Sequence, residues 1–71
     1  MNRLKMARVR LGITQLALGR KAGLSETQLS KIETDRVRPA AEVRQRIAVA
    51  LGVSPLEIFP VIVAETEVRR D

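Results

Sequence analysis

Five polar side chains lie within the six-residue segment ETQLSK. They are Glu26, Thr27, Gln28, Ser30 and Lys31. Their carboxylate, hydroxyl, amide and ammonium groups can donate and accept hydrogen bonds, but they do not form the nucleophile–base pair that catalysis requires. In a helical conformation, the neighbouring apolar residues Leu24, Leu29 and Ile32 lie on the other side. The segment is therefore either a solvated helix face or a surface that recognises a hydrogen-bonding partner.

The residue types missing from the chain narrow its chemistry. Neither cysteine nor histidine occurs among its 71 residues. This excludes a disulfide and a thiolate metal site, and acid–base catalysis lacks its usual side chain. We therefore expect no catalytic residue, no metal and no cofactor, so the protein is not expected to be an enzyme. The length is sufficient for one small domain.

Charge is distributed unevenly along the chain. Residues 1–46 contain 11 lysines and arginines and 4 acidic residues, a net charge of +7. Residues 47–71 contain 2 arginines and 4 acidic residues, a net charge of −2. This asymmetry predicts a polyanionic partner, such as nucleic acid, on one side of the molecule. An arginine-rich surface that only promotes solubility fits the same composition.

The sequence gives no indication of a membrane segment. No apolar run approaches membrane-spanning length, and the N-terminal MNRLKMARVR lacks the apolar region of a signal peptide. The absence of disulfides favours a reducing cytosol. We expect a cytoplasmic protein without a membrane partner, associated with the nucleoid if its partner is DNA.

Local signals predict helices at short intervals in the first half of the chain. The first covers residues 3–11 and is ended by Gly12. The second begins after Thr14, a good N-cap, and continues to about Ala22. Gly23 then ends it, because glycine readily adopts the left-handed conformation found there.

Two further helices follow with comparable signals. The third begins at Ser25, where Gln28 completes a capping box, and it runs to about Thr34. The fourth follows Pro39, which bars a continuous helix, and Gly52 closes it.

The fifth helix is short, and the segment after it is ambiguous. Ser54 is its predicted N-cap, Pro55 occupies the first turn, Glu57 completes a capping box, and the helix ends near Phe59. Residues 60–71 contain β-branched residues followed by charges. They fit an added strand, a dimer contact or a frayed tail, and composition does not decide among these.

The second and third helices are predicted to form a helix-turn-helix. That arrangement needs a small residue where the two helices approach, and Gly19 supplies it. It also needs a turn residue that tolerates positive φ, and Gly23 supplies that four residues later. A generic pair of antiparallel helices is the alternative.

The stretch GITQLALGRKAGLSETQLSKIETDRVRP, followed by ALGVSPLEIF, resembles the phage Cro/CI-type helix-turn-helix family of DNA-binding regulators. The resemblance covers residues 3–59. The shared residues are Thr14-Gln15, Leu18, Gly23-Leu24-Ser25, Ile32-Glu33, Pro39 and Ala50-Leu51-Gly52-Val53. It implies an all-α, five-helix, lambda-repressor-like domain at residues 1–59, with residues 60–71 as a C-terminal tail.

Some residues depart from the family pattern. Gly19 replaces the usual alanine, which weakens the helix by up to about 1 kcal/mol. Asp35 stands where glycine is common and tolerates a left-handed turn less well. Ala40 replaces a Ser/Thr cap, so the fourth helix is expected to start without one. Leu16 and Ala17 occupy positions that are more often polar, which makes Leu16 a candidate exposed contact.

The resemblance assigns roles to the polar side chains. An α-helix fits the DNA major groove, and the second helix of the motif contacts base edges there. The implied base contacts are Glu26, Thr27, Gln28, Ser30 and Lys31. The candidate phosphate contacts are Gln15 and Arg8, which the resemblance supports, and Arg36, Arg38 and Arg44, which are basic residues that follow the third helix. Gln28 is ambiguous, because the capping box also requires its side chain.

The family also pairs an arginine of the first helix with the glutamate that ends the third. Here the pair is Arg8 and Glu33, which would brace the third helix and leave donors of Arg8 for a phosphate. Two unrelated surface charges are the alternative.

The function implied is sequence-specific binding of double-stranded DNA by a transcriptional regulator, a repressor acting as a homodimer on a palindromic operator. The candidate dimer residues lie at the acidic end of the chain: Leu56, Phe59, Val61 and Val63. Leu56 and Phe59 fit the core equally well. The alternative function is an antitoxin-like interaction module with a protein partner. A restriction–modification controller is a subtype of the regulator that the sequence does not separate.

Overall fold

Short helices follow one another along residues 2–60, the part of the chain that this computed structural model describes. They are α1 (Arg3–Arg10), α2 (Gln15–Ala22), α3 (Glu26–Glu33), α4 (Ala41–Leu51) and α5 (Pro55–Ile58). No strand occurs within these residues, so the predicted all-α architecture with five helices is confirmed. The strand considered for the C-terminal tail falls at residues outside the described range. None of the described helices has the length and apolar character needed to cross a membrane.

Capping side chains fix where most of the helices begin. The Thr14 hydroxyl accepts a hydrogen bond from the backbone N–H of Ala17, and Ser25 forms the predicted capping box with Gln28. Ala40 makes no side-chain cap at the start of α4, as its residue type predicts. The capping box predicted for α5 is wrong. The Ser54 hydroxyl accepts from Leu56 instead, and the Glu57 carboxylate lies 3.7 Å from the Arg10 guanidinium.

The core is aliphatic apart from one phenylalanine. Helix α2 packs on α3 and α4, α4 packs on α5, and α5 packs on α1. The buried apolar residues are Leu4, Ala7, Leu18, Ala22, Leu29, Ile32, Ile47, Ala48, Leu51, Ile58 and Phe59. Ile13, Leu24 and Val53, which directly precede helix N-caps, pack against this core as partly buried residues. Apolar residues on both sides of these caps therefore fix the angles at which α2, α3 and α5 enter the bundle.

Two glycines allow the tight turn between α2 and α3. Gly23 lies in the turn itself, and Gly19 lies within α2 where the chain after the turn approaches. Gly23 ends α2 with φ of 71°, in the left-handed region that favours glycine. At Gly19, the backbone N–H of Leu24 donates to the glycine carbonyl over 2.8 Å. A Cβ atom on Gly19 would lie 2.5 Å from the Leu24 carbonyl oxygen. The close approach predicted for this position is present, and here it leaves no room for the family's alanine without a backbone shift.

Candidate nucleic-acid interface

Helix α3 presents one polar face to solvent. Its apolar residues Leu29 and Ile32 are buried against the rest of the molecule. Of the five side chains singled out in the sequence, Ser30 is half-buried and the others are exposed: Glu26, Thr27, Gln28 and Lys31. These side chains therefore share one helix and, apart from Ser30, are free of the core. Their contact with bases stays a prediction.

The capping box fixes how Gln28 presents its amide. Its Oε1 accepts a hydrogen bond of 2.9 Å from the Ser25 backbone N–H, and the Ser25 hydroxyl accepts one from the Gln28 backbone N–H. A backbone donor requires the amide oxygen on that side. While the box is intact, the N–H groups of Gln28 Nε2 remain available to a partner, and Oε1 is held toward the Ser25 backbone.

The end of α3 is anchored by a buried carboxylate. The Glu33 side chain is 1% exposed and lies in the ion pair with Arg8 that the sequence predicted. Arg8 Nε donates to Glu33 Oε2 over 2.6 Å, and Nη2 donates to Oε1 over 3.1 Å. This two-pronged geometry suits an arginine–carboxylate pair. It joins α1 to the C-terminal end of α3.

A third residue completes this group. Gln15 Nε2 donates to Glu33 Oε1 over 3.1 Å, which links the first residue of α2 to the same carboxylate. Sequence reasoning did not find this bond, because 18 positions separate the two residues and nothing local signals it. Arg8 Nη1 donates to the Ile13 carbonyl over 2.9 Å. All three nitrogens of Arg8 therefore have partners within the chain, and its side chain is only 12% exposed.

The loop after α3 is tied to the last turn of that helix. Asp35 adopts φ of 59°, so the aspartate does occupy a left-handed position. The backbone N–H groups of Arg36 and Val37 both donate to the Lys31 carbonyl. Asn2 donates to the Ile32 carbonyl over 2.7 Å and to the Asp35 carboxylate over 3.2 Å. These bonds hold the loop beside the polar face of α3.

The three predicted phosphate contacts beyond α3 differ in their surroundings. Arg36 and Arg38 are exposed on this loop. Arg44 is half-buried, and its Nη1 donates to the Pro39 carbonyl over 2.8 Å, which helps to hold the uncapped start of α4.

Arg46 is a residue whose role the sequence analysis missed. From α4 it donates to the Ala22 carbonyl over 2.9 Å and to the Gly23 carbonyl over 3.2 Å. It also lies 3.4 Å from Glu42, one turn earlier on its own helix. Only the spacing of four between Glu42 and Arg46 is visible in the sequence. Arg46 supplies donors to the free carbonyls at the end of α2, at the turn of the helix-turn-helix.

Two of the four candidate dimer residues lie in the described part of the chain, and one is exposed while the other is buried. Leu56 is 56% exposed, whereas Phe59 is 6% exposed and belongs to the core. Phe59 therefore takes the core position that the sequence left open for it. Val61 and Val63 lie outside the described residues.

Comparisons with known proteins bear on this arrangement. A protein-family model described as "Helix-turn-helix" matches residues 4–58. The chain is 32% identical over 69 residues to a protein of Bacillus phage phi105 named "Immunity repressor protein". That alignment covers 97% of the chain and 46% of the relative, so the chain spans about half the length of the curated protein it matches. No solved structure matches the chain significantly.

Proposed function

The chain belongs to the Cro/CI-type helix-turn-helix family of DNA-binding regulators, and from that premise we propose that it is a sequence-specific transcriptional repressor. It binds double-stranded DNA through α3 and blocks transcription by occupying an operator. The relative named as an immunity repressor supports the direction of regulation.

The proposal rests on the way α3 is held in the structure. Its polar face is exposed, and both of its ends are held in place. The capping box fixes the start, and the buried Glu33 fixes the end. A solvated face would not need such anchoring, whereas a helix that enters a groove must hold its side chains in a defined register.

Each exposed side chain suits a particular base edge. Glu26 can accept from the amino group of cytosine, and Lys31 can donate to the O6 and N7 of guanine. Thr27 offers a hydroxyl group, or its methyl group to thymine, and Ser30 offers a hydroxyl group. While Gln28 caps α3, its oxygen already accepts from the Ser25 N–H, and its Nε2 group can donate to base acceptors.

The backbone contacts we propose flank this face. Gln15 lies at the start of α2, where backbone N–H groups and the helix dipole favour a phosphate. Arg36, Arg38 and Arg44 follow α3 and add positive charge for the adjacent backbone. Arg8 is the weakest of the proposed phosphate contacts, because its nitrogens already have partners in the chain.

We propose that the protein acts as a homodimer on a palindromic site. One α3 contacts only a few base pairs, and a two-fold pair placed one DNA turn apart doubles the contact. The exposed Leu56 is the apolar candidate for the contact between subunits, together with Val61 and Val63. Such a regulator would act in the cytoplasm at the nucleoid.

Selection of bound duplexes from a random DNA pool tests the proposal, at about physiological salt so that phosphate-only binding is suppressed. We expect enrichment of a two-fold-symmetric sequence with half-sites about one helical turn apart. Binding that enriches no sequence and fades with added salt would contradict the proposal. The antitoxin-like alternative, with a protein partner, would then be the one to test.

A further inference from the structure

The amide of Gln15 has only one orientation that its surroundings allow. An amide presents either oxygen or nitrogen to a neighbour, and the neighbour here is the Glu33 carboxylate. Oxygen against a carboxylate is repulsive, so Nε2 must face Glu33. Glu33 cannot turn away, because its side chain is 1% exposed and Arg8 holds both of its oxygens.

One N–H of Gln15 is therefore occupied by Glu33, and the second is directed elsewhere. The two N–H bonds of an amide diverge in one plane, so the second N–H points away from the carboxylate. Gln15 is half-buried at the first position of α2, so part of the residue is open to a partner. The hydroxyl of Thr14 already satisfies the Ala17 N–H, whereas the backbone N–H groups of Gln15 and Leu16 have no partner within the helix.

We propose that Glu33 is a positioning residue, which turns the Gln15 amide so that its second N–H faces a DNA phosphate. This inference rests on the proposed function. It assigns Arg8 a matching role, since Arg8 holds the carboxylate that holds Gln15. The Glu33 carboxylate therefore holds both the phosphate-contacting residue at the start of α2 and the C-terminal end of α3. It thereby fixes the position of the phosphate contact relative to the base-contacting helix.

A double-mutant cycle tests this inference with the full chain and the duplex enriched from the random pool. The positioning group is removed by replacing both charges, Arg8→Met with Glu33→Met, because apolar residues of similar volume often substitute for a buried ion pair without loss of stability. Gln15→Ala is then made in the wild-type protein and in this background. Gln45→Ala, at an exposed glutamine on α4, is the matched control.

In the wild-type protein, Gln15→Ala should lower DNA affinity about tenfold, as expected for a hydrogen bond to a charged group. In the Arg8→Met, Glu33→Met background it should lower affinity by about threefold or less, because the amide is no longer held toward the phosphate. Equal losses in the two backgrounds would overturn the inference while leaving DNA binding intact. If the wild-type protein enriches no duplex, the proposed function itself fails and the inference falls with it.

A measurement on the free wild-type protein covers the case in which the double replacement does not fold. One side-chain N–H proton of Gln15, the one bonded to Glu33, should exchange with solvent more slowly than the side-chain N–H protons of Gln45. If both Gln15 protons exchange as fast as those of Gln45, Glu33 does not hold the Gln15 amide, and the inference is overturned without DNA.

Discussion

Asn2 bonds three different parts of the molecule through one short side chain. Its Oδ1 accepts from the Lys5 backbone N–H and caps α1. Its Nδ2 donates to the Ile32 carbonyl and to the Asp35 carboxylate. The residue thus joins the start of α1 to the end of α3 and to the left-handed turn that follows it. The polar face of α3 depends on such individual bonds at its C-terminal end, since the local sequence places an aspartate where glycine would fit without strain.

Two substitutions of Asn2 separate its capping role from its bond to α3. Asn2→Ala removes both and should lower the free energy of unfolding by about 1–2 kcal/mol. Asn2→Asp keeps a good N-cap and favours the helix dipole, but it places a carboxylate against the Ile32 carbonyl and Asp35. We expect Asn2→Asp to be destabilised as well, measured by urea denaturation. Wild-type stability of Asn2→Asp would show that only the cap matters.

At the scale of elements, the helix-turn-helix is held by a close backbone contact and by a clamp from a third helix. Gly19 and Leu24 approach too closely for a side chain at position 19. Arg46 on α4 bonds the two carbonyls at the end of α2. The first contact fixes the angle between α2 and α3, and the second fixes the pair against the bundle.

Gly19→Ala should destabilise the protein, although alanine is the better helix former. The gain in helix propensity is about 1 kcal/mol. The new Cβ would lie 2.5 Å from a backbone oxygen, and such overpacking costs about 1–3 kcal/mol. We therefore expect a lower midpoint of thermal unfolding. A midpoint above that of the wild-type protein would show that the turn opens at little cost.

Arg46→Ala should lower the free energy of unfolding by about 1–2 kcal/mol, because two carbonyls lose a charged donor that is itself partly exposed. Glu42→Gln is the matched control, since it removes only the exposed pair within α4 and should cost no more than about 0.5 kcal/mol. Urea denaturation of both variants measures the difference. If both variants lose the same free energy of unfolding, the Arg46–Glu42 ion pair provides the stabilisation, and the bonds from Arg46 to the end of α2 do not.

The ends of the helices were predictable from sequence, whereas the bonds between helices were not. Thr14, Ser25 and Gly23 act on neighbours within four positions, so residue type and spacing determine their effect. Arg46 and the Ala22 carbonyl are separated by 24 positions, and Gln15 and Glu33 by 18. Such pairs depend on how the helices pack. The Arg8–Glu33 pair was predicted only because the family resemblance supplied it.

For the molecule as a whole, the candidate dimer residues Leu56 and Phe59 differ in what they can contact. Leu56 lies within α5, and Phe59 directly follows it. Phe59 completes the core, and Leu56 remains exposed. A four-residue helix is too short for its apolar periodicity to distinguish a core position from a surface position. The sequence therefore allowed either a core or a dimer-contact position for both residues.

Leu56→Asp should abolish self-association and weaken operator binding, because a charge in an apolar contact between subunits is costly to desolvate. Val49→Asp, at a residue of α4 that is 69% exposed, is the control and should leave self-association unchanged. Analytical ultracentrifugation measures the first effect and DNA titration the second. Unchanged self-association of Leu56→Asp would exclude this face as the dimer contact.

The exposed face of α3 is proposed to select the DNA sequence, and parallel selections from a random DNA pool test that role. The wild-type protein is compared with Lys31→Ala and with Lys21→Ala, a control that removes the same charge from α2. We predict that Lys31→Ala loses the base preference at one position in each half-site, with a cost of about 1–3 kcal/mol for the wild-type sequence. Lys21→Ala should retain the wild-type preferences. If Lys31→Ala enriches the same sequence with the same preference at every position, then Lys31 does not select bases, which contradicts the proposed role of the α3 face.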